Sequence, residues 1–263
     1  MRLKMIVSYD GSYFHGFQRQ TTLTTVQGNI ENILEIIYKE KITITYAGRT
    51  DAGVHAVEQV VHYDSEQIIP LANLKRVLNK SLKPHIYIKD ISYVDNSFHS
   101  RYSEHITEYR YIISTNEFNP FQSNYIYFYD RILNIDLIKK SIQYIIGTHD
   151  FKALSKGNEK DNTIRTIYSF DIEEKNNEYV FIIKGNGFLH NMVRIIMALL
   201  IKVNEGKIKP DEVKEIINSK DRKKVPWCAP SNGLYLYSIT YKWNYKEVIF
   251  ILPLYNFIFM LSW

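Results

Sequence analysis

Up to residue 94 the chain switches hydrophobic period in a set order, and that order is the strongest limit on its fold. Residues 3–9 alternate apolar and polar side chains as a half-buried strand does, and Asp10-Gly11-Ser12 supplies turn chemistry after them. Thr24, followed three residues later by Gln27, fits a helix N-cap with its capping-box partner. Ile30, Ile33, Leu34 and Ile37 then recur at helical spacing. The β-branched residues 42–46 predict a short strand and residues 57–63 another, joined by a glycine-containing loop. Pro70 opens a second helix with Leu71, Leu74, Val77 and Leu78 on one face, and Pro84 ends it. Residues 86–94 complete the set as a strand. The order is β-α-β-β-α-β, the split ferredoxin-like arrangement.

The remainder repeats that order with additions. Residues 108–114 predict a strand, and residues 125–129 a further one. Residues 135–146 are helical and stop at Gly147, a residue suited to the position after a helix end. Residues 164–173 and 179–184 form a hairpin through Asn176-Asn177. Helices follow over 190–203 and 211–218, and residues 234–241 close the unit as a strand. The expectation is an α+β protein of two ferredoxin-like domains from a pseudo-duplication, 1–105 and 106–247, with a catalytic cleft between them. Element order alone carries the duplication, since no residue-level repeat is visible.

The whole chain sets looser bounds. Lys and Arg number 33 against 28 Asp and Glu, a net charge of +5 that suits a polyanionic partner without requiring one. The single cysteine, Cys228, excludes an intrachain disulfide and a cysteine metal cluster. The beginning lacks the apolar stretch of a secretory signal, so a reducing cytoplasm is the expected location. Residues 248–263 are almost wholly apolar but are interrupted by Pro253 and Asn256. A spanning helix needs roughly 20 apolar residues, so a tail packed on the body or at a subunit contact is expected rather than a membrane anchor.

The stretch richest in chemistry is Ala47-Gly48-Arg49-Thr50-Asp51-Ala52-Gly53-Val54-His55-Ala56, between two predicted strands. Glycines on both sides of a carboxylate describe a tight loop that presents Asp51. Arg49 can lie beside a phosphate or near Asp51, where a cation favours the ionised carboxylate. Three readings fit these residue types. One is a turn with an Asp–Arg pair. Another is a metal site of Asp51, His55 and His62, although no His-Glu-x-x-His pattern accompanies it. The third is covalent or electrostatic catalysis by a lone carboxylate.

The run from Ala47 to His55 resembles the nucleophile motif of the bacterial tRNA pseudouridine synthase A (TruA) family. Blocks in family order extend the likeness along nearly the whole chain. They are Tyr9-Asp10-Gly11, Gly16-Phe17-Gln18-Arg19-Gln20, Thr25-Val26-Gln27, Gln59-Val60-Val61-His62-Tyr63, Phe98-His99-Ser100-Arg101-Tyr102 and Tyr109-Arg110-Tyr111. Gly147-Thr148-His149-Asp150-Phe151, Arg165-Thr166-Ile167, Gly187-Phe188-Leu189-His190-Asn191-Met192-Val193-Arg194 and Gly233-Leu234-Tyr235-Leu236 follow. The family pattern ends near Tyr241, so the apolar tail has no counterpart. His55-Ala56 and Val225-Pro226-Trp227-Cys228 also differ from its commoner versions.

This resemblance implies a homodimer that converts uridines at positions 38 to 40 of the tRNA anticodon stem-loop to pseudouridine without cofactor or metal. It makes Asp51 the essential carboxylate, attacking C1′ or removing a sugar proton. Arg49 is similar to the arginine that enters the vacated base stack, and Arg194 to one that partners Asp51. An arginine on the otherwise apolar 190–203 pattern needs such a partner. Tyr109 resembles the active-site tyrosine, with Tyr111 the near alternative on the same strand face. Leu234 is expected to line the uracil pocket. Arg165, Arg101, Arg19 and Lys152 are candidate phosphate contacts, and residues 156–160 a candidate RNA-facing loop. The rival is a non-catalytic tRNA-binding or RNA-folding module on the same scaffold. Binding alone, however, places no demand on a carboxylate facing a polyanion.

Overall fold

The computed structural model describes residues 1–157 and 162–242. The expected apolar tail (248–263) and most of the expected RNA-facing loop (156–160) lie outside the described residues. β1 (Arg2–Tyr9) buries Leu3, Met5, Val7 and Tyr9 and turns the alternate residues outward, as its period of two requires. α1 (Val26–Tyr38) buries Val26, Ile30, Leu34 and Tyr38. Its N-cap is Thr25 rather than Thr24: the Thr25 hydroxyl accepts from Gly28 N at 3.3 Å. Gln27 therefore falls inside the helix, where its amide donates to Glu31.

Of the expected strand over 42–46, only β2 (Thr45–Tyr46) pairs, against His62 and Val61. The reason is local. Ile42 and Ile44 turn into the core, and the buried Glu31 carboxylate accepts the Ile44 N–H at 3.0 Å, replacing a ladder bond. β3 (His55–Asp64), α2 (Leu71–Leu82) and β4 (Ile86–Val94) complete the first half.

β5 (His105–Ser114) opens the second half, and only Tyr127–Phe128 (β6) of the expected 125–129 strand joins it. α3 (Ile135–Ile142) is shorter than its apolar pattern, because beyond Ile142 the amides of Tyr144 and Ile145 bond carbonyls three residues back, a tightened last turn. Gly147 then takes φ +114° and begins β7 (Gly147–Asp150), which sequence patterning did not reveal. β8 (Ile164–Lys175) and β9 (Glu178–Gly185) form the expected hairpin, with Asn176 and Asn177 both at positive φ. α4 (Met192–Asn204) is apolar and buried nearly all round, α5 (Glu212–Ser219) follows, and β10 (Leu234–Tyr241) ends the described chain.

All ten strands join one sheet in the order β4-β1-β3-β10-β5-β9-β8-β7, with β2 on β3 and β6 on β5. Pairing is antiparallel except for β10 with β3 and β5 with β6, an α+β architecture. The two halves join where Tyr235 pairs with His55 and Leu236 with Ala56. One apolar cluster draws on both halves, from Met5 and Leu34 to Ile195 and Leu199. Among the described residues no helix is long and apolar enough to cross a membrane.

At the β2–β3 edge His62 is buried, and its Nδ1 accepts from Ser100 N at 3.2 Å, an arrangement that needs an unprotonated nitrogen. Burial, then the nearby Arg2 and His99, lowers its pKa to about 4. Unfolded histidine titrates near about 6.5, so the unfolded chain takes up this proton first. The His62 contribution is complete above that pH and is lost as pH falls towards about 4. Urea titrations across this window should show falling stability, with a shallower fall in His62→Gln; equal slopes would assign the loss elsewhere.

Candidate active site

Asp51 is carried by the connection from β2 to β3, and backbone contacts hold that connection on several sides. Ala47 N donates to Val60 O at 3.0 Å, and Gln59 Nε2 donates to Gly48 O at 2.7 Å. Thr50 is held twice. Phe17 N donates to its carbonyl at 3.0 Å, and its hydroxyl shares a 2.7 Å hydrogen bond with the Tyr9 hydroxyl. Val54 N donates to Asp51 O at 3.1 Å, closing a turn in which Gly53 has φ +77°. A Cβ on Gly11 would lie 2.0 Å from Val54 O, and one on Gly16 would lie 2.9 Å from Thr50 O. The sequence blocks at 9–11 and 16–20 thus form one cradle beneath the Asp51 loop, and glycine is what permits the approach.

Asp51 opens into a cavity of about 760 Å³ walled by both halves of the chain. Phe17, Gly48, Arg49, Thr50 and Arg101 come from the first half, and Tyr109, Arg165, Phe188, His190, Arg194 and Leu234 from the second. The Asp51 side chain is 23% exposed, neither sealed nor freely solvated. Arg194 Nη1 stands 3.7 Å from its Oδ2, and His190 Nε2 stands 3.3 Å from its Oδ1. Arg194 is itself fixed. Its Nε donates to Ala229 O at 2.7 Å, Ala229 N returns a bond to Arg194 O at 3.0 Å, and Nη1 reaches Asn191 Oδ1 at 3.2 Å.

The other residues singled out by sequence divide into two groups. Tyr109 is 7% exposed in the cavity wall with Phe188 edge-on at 4.9 Å between centroids. Burial, followed by the charges of Tyr9 and Asp51, pushes its phenol well above the ordinary value, so Tyr109 is a neutral hydroxyl. Leu234 is buried at the start of β10, and Arg165 and Arg101 stand in the wall. Arg49 is exposed and donates to Gln18 Oε1 at 3.3 Å; the guanidinium beside Asp51 is that of Arg194. Tyr111 does not line the cavity: it is wholly buried and donates to Pro230 O at 2.8 Å. Arg19 pairs with the buried Glu31 at 2.8 Å, and Lys152 lies outside the wall, so neither shares the site.

The three residues of the candidate metal site are not brought together. The buried His55 accepts from Gly11 N through Nδ1 at 3.1 Å, and its Nε2 faces Asn124 O at 2.9 Å. His62 lies on β3 between β1 and β2, bonded to Ser100. Among the described residues no group of three His, Cys, Asp or Glu side chains is arranged to hold a metal ion. Sequence reasoning passed over His190 and Ala229. The helical pattern absorbed His190, which stands in the turn before α4, and Ala229 acts only through its backbone, which no residue type signals.

The Tyr9–Thr50 bond makes a testable contribution. Tyr9→Phe should lower stability by about 1 kcal/mol, read by urea unfolding, because Thr50 then loses its buried hydroxyl partner. Unchanged stability would show that the bond does not brace the loop.

A family model described as tRNA pseudouridine synthase matches residues 5–103 and 141–242. Several bacterial relatives carry the name tRNA pseudouridine synthase A. The protein of Oceanobacillus iheyensis is 41% identical over 251 residues, covering 94% of this chain and 99% of its own. That of Thermoanaerobacter sp. (strain X514) is 43% identical over 240 residues, covering 90% and 98%. That of Bacillus subtilis (strain 168) is 40% identical over 245 residues, covering 92% and 99%. With both segments matched and identity of this order over nine-tenths of its length, the chain belongs to the tRNA pseudouridine synthase family.

Proposed function

We propose that this protein isomerises uridine to pseudouridine in the tRNA anticodon stem-loop, with Asp51 as the carboxylate that meets the sugar. The observation that carries the reading is a partly open carboxylate in a cavity walled by Tyr109, Leu234, Arg49, Arg101 and Arg165, in a chain of this family. The reaction balances within one nucleoside. The C1′–N1 bond breaks, the uracil turns, a C1′–C5 bond forms, C5 loses its proton and N1 gains one. Attack at C1′ and removal of a sugar proton both use a carboxylate oxygen against an electron-poor sugar, as in glycosidases.

A stem uridine must first leave its stack, at a cost of about a few kcal/mol. Contact of the everted base with an aromatic wall returns roughly 1–3 kcal/mol. Tyr109 and Leu234 are the walls for the base, and Arg49, exposed at the mouth, fills the space it vacates. Arg165 and Arg101 meet phosphates, and Arg194 holds Asp51 in place. The relatives' shared name, tRNA pseudouridine synthase A, supports tRNA as the substrate. The same reading makes the chain two ferredoxin-like halves, 1–105 and 106–247. Its support is the strand order, β4-β1-β3-β2 in one and β10-β5-β9-β8 in the other, each the fourth, first, third and second strand of its half once the short β6 and β7 are set aside. A cytoplasmic homodimer completes the proposal, on family likeness.

Asp51→Asn tests it. Pseudouridine mapping in treated tRNA should find no product while tRNA affinity stays nearly intact. Turnover in that variant would contradict the assignment. Affinity of the wild-type protein should fall as salt rises, since phosphate contacts release counterions; a flat response would remove the arginines from the RNA contact.

A further inference from the structure

His190 stands in the turn between β9 and α4, after Gly187 (φ +143°) and immediately before Asn191, which is left-handed (φ +58°). Two bonds tie it to the chain at Lys156. Lys156 N donates to His190 O at 2.9 Å, and His190 Nδ1 lies 3.1 Å from Lys156 O. A carbonyl oxygen can only accept, so Nδ1 carries a hydrogen. The other ring nitrogen, Nε2, lies 3.3 Å from Asp51 Oδ1, and an ionised carboxylate also only accepts. A neutral imidazole has one N–H. With that hydrogen on Lys156 O, the neutral ring would turn a lone pair towards the carboxylate. Only the imidazolium donates in both directions.

The charged and titratable groups around the ring agree. Asp51 meets it from the β2–β3 connection, Arg194 approaches the same carboxylate from α4, and Lys156 lies in the irregular segment after the 3-10 turn Phe151–Leu154. Cys228, exposed on the segment between α5 and β10, has its thiol pushed up by partial desolvation, with Arg194 and Asp51 as the nearby charges. Arg165 of β8, Arg49 and the neutral Tyr109 stand farther along the wall. Asp51 is the anion the ring addresses.

We propose that His190 is a positioning residue that grips Oδ1 of Asp51 through its protonated ring, a role that rests on Asp51 being the reacting carboxylate. Oδ2, which Arg194 faces at 3.7 Å, is then the oxygen presented to the sugar.

Two substitutions separate the ring's two bonds. The amide of His190→Asn can occupy the Nδ1 place and keep the contact with Lys156, whereas that of His190→Gln can reach Asp51 and donate without titrating. Single-turnover rates and KM for tRNA are read for both. His190→Asn should lower kcat by about tenfold with KM unchanged. His190→Gln should recover most of kcat. A His190→Asn enzyme with wild-type kcat, a change confined to KM, or a His190→Gln enzyme as slow as His190→Asn each overturns the proposal. Asp51→Asn is run alongside: turnover there would sink the reading of Asp51 itself, whereas a dead Asp51→Asn beside an unaffected His190→Asn would sink only the role of His190.

Discussion

The site depends on how tightly the Asp51 loop is seated on the end of β1. Thr50 is bonded through its carbonyl to Phe17 N and through its hydroxyl to Tyr9, while Val54 O passes so close to Gly11 that no side chain fits between them. These contacts make Thr50 and Val54, which bracket Asp51, part of the buried framework. The carboxylate inherits that rigidity while its own side chain remains partly open. A loop tethered only at its ends would let the oxygens wander by more than the fraction of an ångström that reaction at a fixed sugar tolerates.

The second half of the chain supplies the groups that meet this carboxylate. α4 is buried on nearly every side, so the cost of placing Arg194 on it is offset by bonds to Ala229 O and Asn191 and by the approach to Asp51. Tyr109 on β5 and Leu234 on β10 reach the cavity because β10 lies between β3 and β5. The short parallel pairing of Tyr235 with His55 and Leu236 with Ala56 is therefore what sets one half's carboxylate against the other half's wall.

Much of this is legible in the sequence. Alternation marks β1, though Ile6 interrupts it, and the Asn176-Asn177 turn marks the β8–β9 hairpin, because both signals are local. The losses occur where a distant partner takes over a local preference. Residues 42–44 have strand composition, yet Glu31 takes the Ile44 amide, and the same carboxylate withdraws Arg19 from the cavity. Tyr109 and Tyr111 share a strand face and look equivalent in sequence. Only packing separates them, one in the wall and the other sealed on Pro230 O. His190 was hidden by its neighbours, since the apolar run after it extends the helical pattern backwards across a left-handed Asn191.

The central claim is spatial: an everted nucleoside enters between Tyr109 and Leu234 and presents its sugar to Asp51. A structure of the catalytically silenced protein bound to a substrate stem-loop tests this most directly. The account predicts the target uracil out of its stack and against Tyr109 and Leu234, with C1′ roughly 3–3.5 Å from the side chain at position 51. A target base still paired in the stem, or an RNA seated on a surface remote from this cavity, would contradict it.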